Sequence, residues 1–317
     1  MVFQTLHTFI HQPLKLSFGR RYRALLAGAL TTAMVGLTAL PTCAADPFRT
    51  DQPHDISDAT EAAFNAFFYE GNYDAAETLV QQATASDPDE PMNHAMAAAL
   101  GYLHKDLDEL ASRAQLTQET AAALMDTDPL RGHLYSAVGI FLEGAHVLQT
   151  RGIARGTPTA LRMLQQVFSE LDAASDIDPD DPELSLLKGF MDLLLAVNLP
   201  FANPDEAIAR LQNGYPTYLS QRGIAIGLRD LERYDEALVA IDKALNEAPK
   251  NPELMYLKAQ ILNLSGDTAA SLPFYEAALA YVDQLPASTA AQLKFEACLA
   301  EGLDGSTCAE RSGINDV

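Results

Sequence analysis

Five stretches of this chain repeat small and apolar residues at matching offsets, three of them closed by a helix-ending proline, and this recurrence limits the fold more than any other feature. The clearest is Gly71-Asn72-Tyr73-Asp74-Ala75-Ala76, followed by Val80, Ala83 and Pro88. Tyr234-Asp235-Glu236-Ala237 repeats it with Ile241, Ala244 and Pro249, and Gly266 with Ser271, Tyr275 and Ala278. Unit starts fall at Ser57, Pro91, Pro182, Tyr218 and Pro252, separated by 34, 91, 36 and 34 residues. A period near 34 marks stacked helical hairpins, none of which buries its apolar face alone.

The residues in the pattern have mechanical reasons. Ala76 and Ala237 sit where the helices of a pair cross and a larger side chain would separate them. Tyr73 and Tyr234 are sized to fill the gap between neighbouring units. Pro88, Pro179 and Pro249 end second helices, because the residue before proline is pushed out of the α region. Helix starts recur as Asp128-Pro129, Thr157-Pro158, Asp181-Pro182, Asn203-Pro204 and Asn251-Pro252. In each, the cap accepts from an orphan amide and proline suits the first helical position. Apolar residues recur at helical spacing almost throughout and no strand-like alternation is sustained, so the chain reads as all-α.

This spacing and these residues resemble the tetratricopeptide repeat over roughly 57–103 and 160–285, and the chain is similar to secreted tetratricopeptide proteins of cyanobacteria. The resemblance implies a right-handed superhelix of antiparallel helix pairs whose concave wall grips a peptide or partner protein. Residues 57–285 form the expected solenoid. The 91-residue step does not divide by 34, so the centre, 104–181, is expected to diverge, with longer helices near 107–125, 129–150 and 158–177.

Residues 1–45 read as a signal peptide, with 46–56 as a linker after it. Lys15, Arg20, Arg21 and Arg23 precede an uncharged run of 17 residues, Ala24 to Leu40, and Cys43-Ala44-Ala45 gives a small-residue exit. Cleavage near Ala44 or Ala45 would export the chain to the periplasm or beyond. An uncleaved anchor, acylation of Cys43 and a twin-arginine route through Arg20-Arg21 stay open. The whole chain carries 21 basic and 43 acidic residues, net −22, and losing the signal leaves 17 basic residues and a net charge near −26. Such acidity argues against nucleic acid or an anionic membrane surface as partner, and leaves membrane contact to the N-terminal segment if it stays uncleaved.

Cys298 and Cys308 remain in the mature chain, and export would place them where disulfides persist. A bridge would pin the tail to the last helix, in a region 286–317 expected to hold a capping helix over 286–301 and a flexible end. In that helix Leu293, Cys298 and Leu299 form an apolar stripe, while Gln292, Lys294 and Glu296 face away. No metal, cofactor or catalytic residue is expected. Asp176 to Asp181 lacks the glycine of a calcium loop and reads as a capped turn. None of His54, His94, His104, His133 and His146 forms a metal-binding pair, and no serine or cysteine sits in a nucleophile motif.

The expected role is therefore non-catalytic: an exported scaffold for a protein or peptide partner in the cell envelope. The first-helix positions that face the groove in such repeats are Asn65, Phe68, Tyr102, Phe190, Arg222, Arg229, Tyr256, Gln260 and Asn263. Aromatic, Arg, Asn and Gln side chains suit peptide recognition. For Phe68 and Phe190, packing between repeats is the competing role. A clamp for a C-terminal carboxylate does not fit, since its positions hold Glu61, Asn65 and Met96. Two other classes stay open, a carrier of a small apolar ligand in a closed helical cavity and an envelope enzyme.

Overall fold

The structure, a computed structural model, describes residues 46–198 and 202–316. The segment read as a signal peptide lies outside them. Among the described residues, thirteen α-helices follow one another with no strand: α1 Asp58–Phe64, α2 Tyr73–Ser86, α3 Pro91–Leu103, α4 Leu107–Leu124, α5 Pro129–Ile177, α6 Pro182–Asn198, α7 Pro204–Gln212, α8 Thr217–Asp230, α9 Tyr234–Glu247, α10 Pro252–Leu264, α11 Thr268–Leu279, α12 Ala287–Ala300 and α13 Gly305–Ser312. Helix α1 runs on as a π-helical turn, Asn65–Tyr69. Sequential helices pair and successive pairs stack into a helical solenoid. Ala76, Ala83, Ala237, Ala244 and Ala278 are fully buried where the helices cross.

The divergent centre is one long hairpin. Gly152, with φ 71° and ψ 164°, breaks α5 into arms spanning 129–151 and 153–177. His133 meets Glu170 across them at 2.7 Å, so the arms run antiparallel. The expected start at Thr157-Pro158 is corrected here. Glycine has already made the turn five residues earlier, Pro158 lies inside the second arm, and the Thr157 hydroxyl donates to the Ile153 carbonyl.

The helix caps do more than begin helices. Glu90 accepts from the Met92 amide at the start of α3 and also receives both terminal nitrogens of Arg131. Asp128 caps α5 through the Arg131 amide while its other oxygen lies 3.4 Å from His54 Nε2. Asp181 caps α6 through the Leu184 amide and is ion-paired with Arg49. Asn251 accepts from Glu253 and Leu254 at the start of α10, and its Nδ2 donates to the Phe68 and Tyr69 carbonyls. Each side chain thus satisfies its own helix and a segment distant in the chain.

These contacts bend the solenoid back on itself. The tip of the first hairpin docks on the N-termini of α8 and α10. There Tyr69 packs edge-on against Tyr218 and its hydroxyl donates to the Glu247 carbonyl. Gly71 has φ 63°, and a Cβ there would stand 2.9 Å from Asn251 Oδ1, so this approach needs glycine. Residues 46–56 are packed rather than extended as a linker: Asp46, Phe48 and Ile56 are buried, and Phe48 stacks edge-on against Phe64.

At the other end, Cys298 and Cys308 are joined by a disulfide with Cα atoms 5.5 Å apart. The end expected to be flexible instead forms α13, whose amides at Ser306 and Thr307 are capped by Asp304. On α12, Leu293 and Cys298 are buried but Leu299 is exposed, and Glu296 turns inward to Gln260 rather than away.

Asn251 separates its two roles by mutation. Asn and Asp cap helices equally well, so Asn251→Asp keeps the α10 cap but turns a carboxylate on two carbonyls. Urea denaturation is expected to show a loss of about 1–3 kcal/mol for Asn251→Asp, and more for Asn251→Ala, which removes both roles. Wild-type stability in Asn251→Asp would mean that closure contributes nothing.

Candidate functional site

The nine groove residues do not converge on one surface. Asn65 and Phe68 lie in the closing hairpin, where Phe68 is tilted against Phe64 and Phe67 with ring centroids 4.8 and 4.7 Å away. Arg222 is buried in an ion pair with Glu253, 3.0 Å apart. The Tyr73 phenol sits beside that pair, where burial and the Glu253 charge push its pKa well above the ordinary value. Tyr256 is buried against Tyr275. Phe190 packs over the Gly223 backbone of α8, so close that a Cβ there would stand 2.4 Å from its ring. Tyr102, near the end of α3, faces the α5 hairpin.

Three of the nine remain together on one wall. Arg229 of α8 donates to Gln260 Oε1 of α10 at 2.8 Å, and Gln260 Nε2 donates to Glu296 of α12 at 3.0 Å. Gln292 donates to the other Glu296 oxygen at 2.7 Å. Asn263, one turn along α10, accepts from the Thr268 hydroxyl at 2.8 Å. Gln260, Asn263, Gln292 and Glu296 are half-buried, so this row of donors and acceptors crosses three successive units with part of its surface in water. Reasoning from repeat positions missed Gln292 and Glu296, because α12 follows the last regular unit and has no helix-ending proline to set its register.

A second polar cluster lies in the interior. Arg131 is bound by Glu90, with Glu183 Oε2 3.9 Å from its Nε, and the Tyr135 hydroxyl donates to Glu183 at 2.7 Å. All four side chains are buried. One guanidinium faces two buried carboxylates and is held closely by only one of them. Burial therefore dominates at Glu183 and pushes its pKa up to about 7, against the pull of Arg131 and Tyr135. Asp46 goes the other way: burial opposes ionisation, but hydrogen bonds from His54 and Phe48 outweigh it and hold its pKa below the usual value. His94, read as packing, is buried with Nε2 2.7 Å from the Pro88 carbonyl. Asp181, in the turn read as capped, caps α6.

No family model and no curated protein matches the chain. Among solved structures it is similar to TTC0263, a thermophilic tetratricopeptide repeat protein of Thermus thermophilus, at 24% identity and TM-score 0.44 over 65% of this chain and 98% of that one. It is also similar to PilW, a type IV pilus biogenesis factor, at 16% identity and TM-score 0.38 over 81% of this chain and 90% of that one. A tetratricopeptide repeat protein of Parabacteroides merdae aligns at 14% identity and TM-score 0.38 over 82% of this chain and the whole of that one.

The interior cluster makes stability depend on pH. A folded-state pKa above the unfolded value means that the fold binds the proton more tightly, so stability is greatest below the ordinary carboxyl value and falls as pH rises through about 7. Denaturant midpoints are expected to fall between about pH 4.5 and pH 7, by about 3 kcal/mol in free energy. Glu183→Gln should remove most of that slope, whereas an unchanged slope would place its origin elsewhere. Asp46, with its pKa held low, adds an opposite slope only in more acid solution, where its stabilisation is lost as pH falls.

Proposed function

We propose that this chain is a non-catalytic, exported scaffold that binds a protein or peptide partner in the cell envelope. The observation that carries the reading is the Arg229–Gln260–Glu296 row, which crosses α8, α10 and α12. Amide and carboxylate groups repeated from unit to unit offer paired donors and acceptors to an extended backbone. Because the row already bonds to itself, a partner exchanges hydrogen bonds rather than adding them, which favours selectivity over raw affinity. Asn263, one turn along α10, extends the row. Export is supported by the basic, apolar and small-residue succession in 1–45 and by the Cys298–Cys308 bond, which suits an oxidising compartment.

Affinity capture from the envelope under mild crosslinking tests this. The wild-type protein should retain a defined partner, and Gln260→Ala with Asn263→Ala should lower its yield about tenfold, as expected for losing one or two hydrogen bonds. Recovery of no partner, or the same partner at equal yield from the double variant, would contradict the reading. N-terminal sequencing of the recovered protein should begin near Asp46, and a start upstream of Ala24 would remove export from it.

A further inference from the structure

The end of the α5 hairpin differs in charge from the rest of the molecule. Between Glu143 and Glu170 there is no acidic residue, while Arg151, Arg155 and Arg162 are present, in a chain of net charge −22. All three arginines are exposed. Beside them Ile153 and Leu161 are 57% and 55% exposed, among the most exposed large apolar side chains of the described residues. The Gly152 turn puts Arg151, Ile153 and Arg155 at the end of the hairpin, and Leu161 and Arg162 follow on the second arm about two to three helical turns below.

An apolar cleft opens between the arms just below that end. It has a volume of about 210 Å³ and is lined by Phe141 and Leu148 of one arm and Leu161 and Leu164 of the other, with Tyr102 and Leu194 closing its sides. Gly144 keeps its floor open, since a Cβ there would meet nothing closer than Met163 at 4.0 Å. Such a space offers water almost no hydrogen bonds and suits a hydrocarbon chain. Leu161 belongs to both the exposed surface and the cleft wall, so the two are continuous.

We infer that this hairpin end docks on a membrane surface carrying anionic phospholipids, with Arg151, Arg155 and Arg162 on the phosphates, Ile153 and Leu161 at the headgroup boundary, and one acyl chain reaching the cleft. The charge complementarity is local. At physiological salt, fields are screened beyond about 8 Å, so the sign of this end governs the encounter even though the whole chain is acidic. Only a tilt that brought acidic surface within that distance would be opposed, which favours end-on contact. No helix among the described residues is long and apolar enough to cross a membrane, so the contact is peripheral. It does not involve the Arg229–Gln260–Glu296 row and stands or falls apart from it.

Vesicle co-sedimentation tests the inference on residues 46–317, which omit the apolar segment 24–40 that would bind vesicles by itself. The protein should sediment with mixed phosphatidylglycerol–phosphatidylcholine vesicles, not with phosphatidylcholine alone, and high salt should release it. Each arginine near such a surface contributes a factor of about five, so Arg151→Glu with Arg155→Glu and Arg162→Glu should weaken binding about a hundredfold or more. Lys243→Glu with Lys250→Glu and Lys294→Glu makes the same change of net charge at exposed sites elsewhere and should bind like wild type. Because all six positions are exposed, both variants should keep the wild-type melting temperature. Failure to bind the anionic vesicles, or equal loss in the two triple variants, would overturn the inference. So would binding of free laurate in native mass spectrometry without vesicle affinity, which would assign the cleft to a soluble carrier.

Discussion

The structure depends on one economy: the side chain that caps a helix also holds a distant segment. A helix start leaves amides without partners, and a buried carboxylate or carboxamide has more than one polar atom to satisfy. Glu90, Asp128, Asp181 and Asn251 meet both demands at once, each serving its own helix and, respectively, Arg131, His54, Arg49 and the Phe68 and Tyr69 carbonyls. Repeats stacked only on their neighbours would leave the first and last units independent. Here two of the caps, Asp181 and Asn251, couple residues more than 130 positions apart, and the solenoid bends until its first hairpin meets α8 and α10.

This closure changes what the concave side offers. In an open superhelix, Arg222, Tyr256 and Phe68 would face a partner. Bent inward, Arg222 pairs with Glu253, Tyr256 packs on Tyr275, and Phe68 joins the aromatic cluster around Phe64. The polar row through Arg229, Gln260 and Glu296 keeps part of its surface in water, and the partner surface proposed for this chain rests on that exposure. The interior cluster around Arg131 is the cost of using charged residues as tertiary fasteners: burial raises the pKa of a second carboxylate, Glu183, against the pull of a guanidinium that Glu90 holds more closely.

Features set by near neighbours were legible in the sequence. The helix pairs, the buried alanines at the crossings, and the caps at Asp128, Asp181, Asn203 and Asn251 rest on spacing and local chemistry, and four of the five cap–proline starts open helices. Thr157-Pro158 does not, because Gly152 had already supplied the turn and the Thr157 hydroxyl turned back to its own helix. The tail misled in a similar way: its glycines suggested mobility, yet Asp304 caps a short helix beside the disulfide. Of the candidate site, Arg229, Gln260 and Asn263 followed from repeat register. The second partner of each cap did not, because it depends on how far the stack curves, and neither did Glu296, which lies beyond the last regular unit.

Closure through Asn251 is the central claim, and a distance measured across it is the most direct test. Spin labels at Glu70 and Lys250, both exposed and flanking the contact, should give a single narrow distribution at the short limit of pulsed dipolar spectroscopy. A broad distribution at long distance would describe an open superhelix and contradict the account.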